Sequence, residues 1–576
     1  EVEKLVASPL EKLLWQIDGV EYVYSTSRKD MAMVTVRFYV GQDRERSLVK
    51  LHNQIRMHTD QVPPIVRNWV IKPVEIDDVP IVNLTLFSKR YSDFELRRIG
   101  EEALCRLTQV QNISRAEIVG GRPREVRVEL SPERMAGLKV SPLQVIKSLK
   151  GADASVNAGS FSRNNQEVNV SANLFLRSAQ DVRDLVVGVH QGKPVYLRDV
   201  AKVLDGPQEA DQYCRIGFSH YFQEHRKSPG DLNQLTGQEL PSSAPAVTLA
   251  LAKKKGTNAV WVARDVLERI EELKRSVIPD DVQITVTRNY GKTAQTKVNN
   301  LLSSLFFAIL TVVALLAFTL GKREALIVAF AVPLSFSLAL FVNFLFGYTI
   351  NRVTLFALIL SLGLVVDDPI TNVDNIQRHI LMRKQSPRTA TLFAVSEVLP
   401  PVIMSTLAII VSFAPMFFIT GMMGPYMAPM AANVPLTVIF STLCAVTIVP
   451  WLAHRLLKHR AERQDADQQT DQGEATPLWI KKLYRFVVAP FLESRAKRYI
   501  LLVLILIGLL ASISLPLLRL VPLKMLPFDN KNELQLVIDM PEGTPLQATD
   551  RTVRSFEEYL RGVPEVTDFV SYVGTA

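Results

Sequence analysis

The stretch from Val398 to Ala453 contains no Asp, Glu, Lys, Arg or His. One crossing of a hydrocarbon core about 30 Å thick takes about 20 apolar residues in a helix, so this run is long enough for two. Comparable runs occupy Leu301–Leu320, Ala325–Phe346 and Tyr499–Leu518. A chain of this kind is not a purely soluble protein. The overall figure of 48% apolar residues conceals two unlike regions, because the rest of the 576 residues reads as ordinary globular sequence. With 3 cysteines, 26 glycines and 32 prolines, a disulfide scaffold, a collagen-like fibre and a disordered chain are all excluded.

Residues 1–297 alternate strand-like and helix-like patterns. Met33–Tyr39, Val79–Phe87, Val126–Leu130, Glu167–Phe175, Val247–Lys253 and Val282–Thr287 read as strands. Asp93–Leu107 and Asn258–Arg275 read as helices, the second with Val260, Val262, Val266, Ile270 and Leu273 on one face. This is an α+β pattern of split-βαβ units. Gly206–Ser243 has little periodicity and reads as a long exposed insertion.

Five spans are expected over 298–457, with the third running from Val353 to about Gln377 and the fourth and fifth divided near Gly421–Pro425. Residues 458–498 read as a linker, polar over Arg460–Pro477, followed by an amphipathic surface helix, Trp479–Leu492. The sixth span is 499–518, and 519–576 restarts the α+β pattern. Residues 5–25 and 551–571 align without gaps: Leu10, Leu13, Leu14, Ile17, Val20 and Val23 match Phe556, Tyr559, Leu560, Val563, Val566 and Phe569. The second copy follows a span, so the first is expected to have followed one too, and both chain ends read as cuts in a longer polypeptide.

Lys and Arg set the orientation. Lys322 and Arg323 lie between spans one and two, and Arg378, Arg383, Lys384 and Arg388 between three and four. A larger cluster from Arg455 to Arg498 lies between five and six, against Arg352 alone on the other side. By the positive-inside rule these loops are cytoplasmic and both α+β regions lie across the membrane. The net charge of +9 is thereby accounted for without nucleic acid.

The third span carries Asp367 and Asp368 well inside it. An ionised Asp near a bilayer centre costs about 2.5–3.5 kcal/mol, and two neighbours repel. Such a pair can take up and release a proton, and the neutralised helix can sit differently from the charged one. Asp374 follows Asp367 by two helical turns with Thr371 between them, while Asn372 and Asn375 follow Asp368. Pro369 cannot donate to the Val365 carbonyl, which frees an acceptor beside the acids. The alternative is a span that ends at Val366, with the two acids capping it in water. Glu397 precedes the longest charge-free run and reads either as interfacial or as facing the polar strip.

Other constellations carry less. Met416, Met422, Met423, Met427 and Met430 cluster near one loop, while Met31, Met33, Met57 and Met135 are too scattered for a metal relay, and His220 and His225 lack zinc-protease spacing, so no metal site is expected. Cys105 and Cys214 could pair on the oxidising side, but nothing in the sequence brings them together and they read as free thiols. Gly291-Lys292-Thr293 imitates a phosphate loop, but Val286 stands where its first glycine belongs. The energy source expected is an ion gradient.

Residues 363–376, GLVVDDPITNVDNI, resemble the resistance-nodulation-division (RND) transporters, specifically the hydrophobe/amphiphile efflux pumps of Gram-negative bacteria. Gly256-Thr257-Asn258-Ala259, Phe346-GYTI-Asn351 and Gly421-MMGPYM-Ala428 resemble the same family. The resemblance implies an α-helical polytopic protein of the bacterial inner membrane with ferredoxin-like periplasmic porter subdomains. It implies a secondary active transporter, not an enzyme: a proton antiporter without cofactor that exports small amphiphilic compounds. It further implies a homotrimer, a periplasmic adaptor, an outer-membrane channel and a docking insertion, expected near 206–243. Asp367 and Asp368 match the family's proton-carrying pair. Asp374 stands where the family usually has Glu, and Pro369 where Ala is commoner. The family's Lys partner for the two acids has no counterpart within these spans, so this piece alone is expected not to transport. A metal-cation pump and a non-exporting accessory of the same superfamily are the alternatives.

Overall fold

The computed structural model describes residues 1–576 apart from 29, 153–154, 165, 174, 222–241, 348, 383–385, 422, 464–477, 522–532 and 575–576. It divides into two compact units, residues 1–64 with 298–535 and residues 65–297 with 536–576.

In the first unit, the Ser8–Trp15 helix precedes an antiparallel hairpin, β1 Val20–Arg28 and β2 Met31–Phe38, with Val23 opposite Val36. The Arg44–Met57 helix follows, and Asp43 caps it by accepting from the Arg46 amide at 2.8 Å. Six helices among the described residues are long and apolar enough to cross a membrane: Tyr290–Thr319, Lys322–Leu345, Arg352–Leu381, Pro387–Phe418, Met427–Leu457 and Arg495–Leu517. They coincide with the six expected spans, but several begin earlier. The fourth starts at Pro387, not near Val398, because Ser386 and Pro387 form its cap and first turn. Gly321, at φ +128°, makes the sharp turn between the first two helices. That backbone conformation is one that residues with a Cβ rarely adopt, which favours glycine there.

The third helix forms the middle of the bundle core. Val365, Val373 and Ile376 meet Ile327, Val328 and Ala331 of the second helix and Val438, Val449 and Ala453 of the fifth. It packs most extensively on the Met423–Arg463 helix, which contains the fifth span. Polar side chains are buried in the same bundle: Asn343 of the second helix donates to Asn433 of the fifth.

The strands of the second unit are β3 Val82–Phe87, β4 Ile113–Val119, β5 Arg124–Leu130, β6 Ser155–Arg163, β7 Gln166–Asn173, β8 Val186–His190, β9 Lys193–Tyr196, β10 Ala201–Pro207, β11 Tyr213–Phe218, β12 Ala244–Lys253, β13 Gln283–Asn289 and β14 Asp568–Val573. The main sheet runs β13-β3-β12-β11-β14, with β4 also pairing β12. The Asp93–Leu107 helix joins β3 to β4, and the Ala259–Ser276 helix joins β12 to β13. Both helices cover one sheet face, where Leu84, Leu86, Leu249 and Leu251 meet Leu96, Leu107, Val266 and Ile270. The opposite face carries a hydroxyl row: Thr85 bonds Thr248 at 3.1 Å and Thr287 at 3.0 Å, and the Tyr572 hydroxyl donates to Thr248 at 2.9 Å.

Arg124–Pro207 lies between β4 and β11 and has its own core of Val145, Val182, Val187, Val195, Leu197 and Val200. β5 and β10 close this module by antiparallel pairing, with Val128 opposite Val203. The exposed insertion expected over 206–243 is corrected in part. Tyr213–Phe218 is a central strand with Cys214, Ile216 and Phe218 buried, while 222–241 lie outside the described residues. The missed signal was alternation interrupted by Arg215, a buried charge that breaks an apolar pattern.

The repeat noted in the sequence recurs as structure. Helix then strand at Ser8–Trp15 and Val20–Arg28 matches Leu546–Arg561 and Asp568–Val573. Leu546–Arg561 sets Asp550 and Glu557 two turns apart, and both carboxylates meet the guanidinium of Arg215. All three are buried. Burial works against the Arg215 cation, but the bonds from Glu557 and Asp550 outweigh it and hold its pKa above the usual value. The lone glycine of Gly291-Lys292-Thr293 serves close packing: its Cβ would lie 2.5 Å from that of Ala263. The three cysteines are free, with Cys105 exposed and Cys214 and Cys444 buried. Burial pushes the Cys214 thiol up to about 12 despite the nearby Thr248 hydroxyl, so it is inert.

Candidate functional site

The Arg352–Leu381 helix is continuous through Asp367, Asp368 and Pro369, so the acids do not cap a helix that stops at Val366. Helical spacing separates the two neighbours. Asp368, Asn372 and Asn375 are buried, while Asp367, Thr371 and Asp374 lie on an exposed face of the same helix. The polar strip read from the sequence is therefore two strips, one on each side, and the three candidate acids do not share one surface.

Asp368 is held by the fifth helix. Thr442 Oγ1 donates to Asp368 Oδ2 at 2.5 Å and also lies 2.7 Å from Thr406 Oγ1 of the fourth helix. Ser441 Oγ, one residue before Thr442, donates at 2.5 Å to the carbonyl of Val365. That is the carbonyl which Pro369, lacking an N–H, leaves open. The fifth helix thus satisfies both the freed backbone acceptor and the adjacent carboxylate. Asn372 Nδ2 returns to the Asp368 carbonyl at 3.2 Å, and Thr371 Oγ1 to that of Asp367 at 2.9 Å.

One and two turns further on, Asn375 Nδ2 donates to Glu397 Oε2 at 3.1 Å and to the Ala394 carbonyl at 2.9 Å. His379 Nε2 lies 2.8 Å from the same Glu397 oxygen, and Arg378 Nη2 lies at 3.5 Å. Glu397 is exposed beside Arg378 and also accepts from Asn375, so it fits both readings, interfacial and joined to the polar strip.

Thr442, Thr406, Ser441 and His379 were not singled out in the sequence. A signal was present: Asn433, Thr437 and Ser441 recur every four residues inside an otherwise apolar run, and all three are buried on one helix face. Lack of charge had masked that stripe. The aromatic residues Phe161, Tyr213 and Phe218 of the α+β unit do not form a group: Phe161 is exposed, Tyr213 is half-buried, and Phe218 packs in the core against Phe87 at 5.6 Å. Among the described residues no group of three or more His, Cys, Asp or Glu side chains is placed to hold a metal ion.

Three relatives have the printed name Multidrug resistance protein MdtC. The protein of Yersinia enterocolitica serotype O:8 is 24% identical over 583 residues, covering 99% of this chain and 52% of the relative. That of Photorhabdus laumondii is 25% identical over 575 residues with the same coverage, and that of Serratia proteamaculans 24% over 581 residues, again 99% and 52%. The chain thus spans about half the length of these curated relatives. Their names speak of drug resistance and do not favour the metal-cation alternative. The profile of the AcrB/AcrD/AcrF family matches residues 1–217 and 232–576, and the chain belongs to that family of RND membrane proteins.

Proposed function

We propose that the chain is part of a proton-driven efflux transporter that exports amphiphilic compounds, in which Asp367, Asp368 and Asp374 relay the proton. The observation that carries this reading is Asp368, buried in a membrane-length helix and held by the neutral hydroxyl of Thr442. A carboxyl so placed is costly when charged and can be neutralised by one proton. Protonation changes what it offers Thr442, from an acceptor to a donor and acceptor, so the bond between the third and fifth helices depends on the proton. Loading and unloading of the site can then shift one helix against the other, and the driving free energy is about 2.3 kcal/mol per charge per 100 mV.

The remaining parts of the reading rest on the family and on topology. The strand order β13-β3-β12-β4, with helices linking β3 to β4 and β12 to β13, supports a ferredoxin-like porter subdomain on the periplasmic side. Arg124–Pro207, with its separate core, is a second candidate for the docking module beside 206–243. The basic loops support a cytoplasmic position for the opposite side of an inner-membrane protein. The relatives' names support a multidrug substrate range, and the family supports a homotrimer with an adaptor and an outer-membrane channel.

The test is drug susceptibility in cells that depend on the natural gene containing this sequence. D367N and D368N should each abolish protection while the protein still reaches the membrane and forms trimers. Normal export by both variants would remove the relay.

A further inference from the structure

We propose that His379 and Glu397 form the cytoplasmic proton-exchange pair of this transporter, at the end of a buried strip that begins at Asp368. The proposal rests on the relay reading above and assigns the place where its proton enters or leaves.

Asp368, Asn372, Asn375 and His379 are spaced by four, three and four residues, so they line one face of the third helix over about 16 Å. The first three are buried, and they point toward neighbouring helices instead of the exposed Asp367 face. Hydrogen bonds link the strip at both ends, through Thr442 at Asp368 and through Glu397 at Asn375. Amides do not accept protons near neutral pH, so the asparagines can only order a water path. A titratable terminus is required where that path meets solvent. His379 supplies it, since an imidazole can take a proton at one ring nitrogen and release one from the other. Its Nε2 lies 2.8 Å from the Glu397 carboxylate, and its ring meets Phe393 edge-on at 5.3 Å, which fixes its orientation. Glu397 is half exposed and also faces Arg378, so the pair touches both the strip and the outside.

The step balances simply. A proton arriving along the water path converts imidazole to imidazolium, which the Glu397 carboxylate stabilises. Loss of one N–H proton to bulk water restores the neutral ring. Other charged groups carried at this end by the packed helices are Lys322, Arg323 and Glu324 on the second, Arg388 on the fourth, and His454 and Arg455 on the fifth. Arg323 is engaged by the Leu456 carbonyl, and Arg455 lies over the Trp451 ring.

The experiment is substrate-driven proton flux in vesicles bearing the complete transporter, measured across about pH 5.5–8. H379Q and E397Q should slow flux roughly tenfold or more and flatten its pH profile, and added imidazole should restore flux to H379Q. H379Q with the parental rate and profile, or slowed equally at every pH without imidazole rescue, would overturn the proposal, the second outcome making His379 merely structural. D368N serves as the control: flux through D368N defeats the relay reading itself. Loss in D368N with parental behaviour in H379Q defeats only the exit assignment.

Discussion

Buried acids are treated in opposite ways by the two units. In the α+β unit, Asp550 and Glu557 are buried against Arg215, and Arg554 adds a second contact to Asp550 at 2.9 Å. Burial alone would raise the Asp550 pKa, but the bonds from Arg215 and Arg554 outweigh it and hold the carboxyl below the usual range. In the helical unit, Asp368 is buried against a hydroxyl and has an acid as its sequence neighbour. The first arrangement fixes a charge and the second leaves one free to be cancelled. Arg215 meets the acids of the α+β unit as a cation, whereas Thr442 meets Asp368 as a neutral donor. On the function proposed above, the same residue type, Asp, serves structure in one place and coupling in the other because of what faces it.

The comparison breaks most directly at Asp368. D368N keeps the hydrogen bond from Thr442 possible but removes the titration, and export by the complete transporter should fall at least about 100-fold in dye-efflux assays. Retained export would put Asp368 in the structural class with Asp550. The counterpart is R215M, which leaves two buried carboxylates without their cation. It should cost about 3–5 kcal/mol of unfolding stability in the α+β unit, read by thermal denaturation. Replacing all three as R215M/D550L/E557L should recover most of that loss, since an apolar trio of similar volume is often no worse than a buried ion cluster. A triple variant as unstable as R215M would mean that the ions supply net stability.

Smaller effects sharpen the contrast. T442V removes the donor to Asp368 and should slow export several-fold, with a shifted pH profile, at a cost of about 1–3 kcal/mol to the unpaired carboxyl's environment. An unchanged profile would show that Thr442 does not control the proton site. Asp568, half-buried at the start of β14, is raised by burial, with the Thr567 hydroxyl opposing at 2.7 Å. A carboxyl with a raised native pKa stabilises the fold below its unfolded pKa, and that contribution fades as pH rises through the native value. D568N should therefore gain up to about 1 kcal/mol at neutral pH and nothing at acid pH, a difference that denaturant titration at two pH values would reveal.

Much of the fold was legible in the residues. Charge-free runs located the six long apolar helices, and the βαβ alternation located the helices at Asp93–Leu107 and Ala259–Ser276. The proline at 369 predicted a free acceptor at Val365, and the structure supplies Ser441 to it. Two things were not legible. Adjacent acids in a helix point about 100° apart, so treating Asp367 and Asp368 as one unit hid their separation between a buried and an exposed face. Partners across the bundle, Thr442 and Glu397, come from sequence separations of 74 and 22 residues, which no local pattern encodes. Arg215 is the same lesson in the other unit, since its partners lie 335 and 342 residues away.

The central claim is that Asp368 gains and loses a proton as the transporter turns over. Infrared difference spectroscopy of the complete transporter, titrated across neutral pH, reads this directly through the carbonyl stretch of a protonated carboxyl. The account predicts a titrating carboxylic band that disappears in D368N and moves in T442V. A band that persists unchanged in D368N, or an Asp368 carboxyl that stays in one protonation state throughout transport, would contradict it.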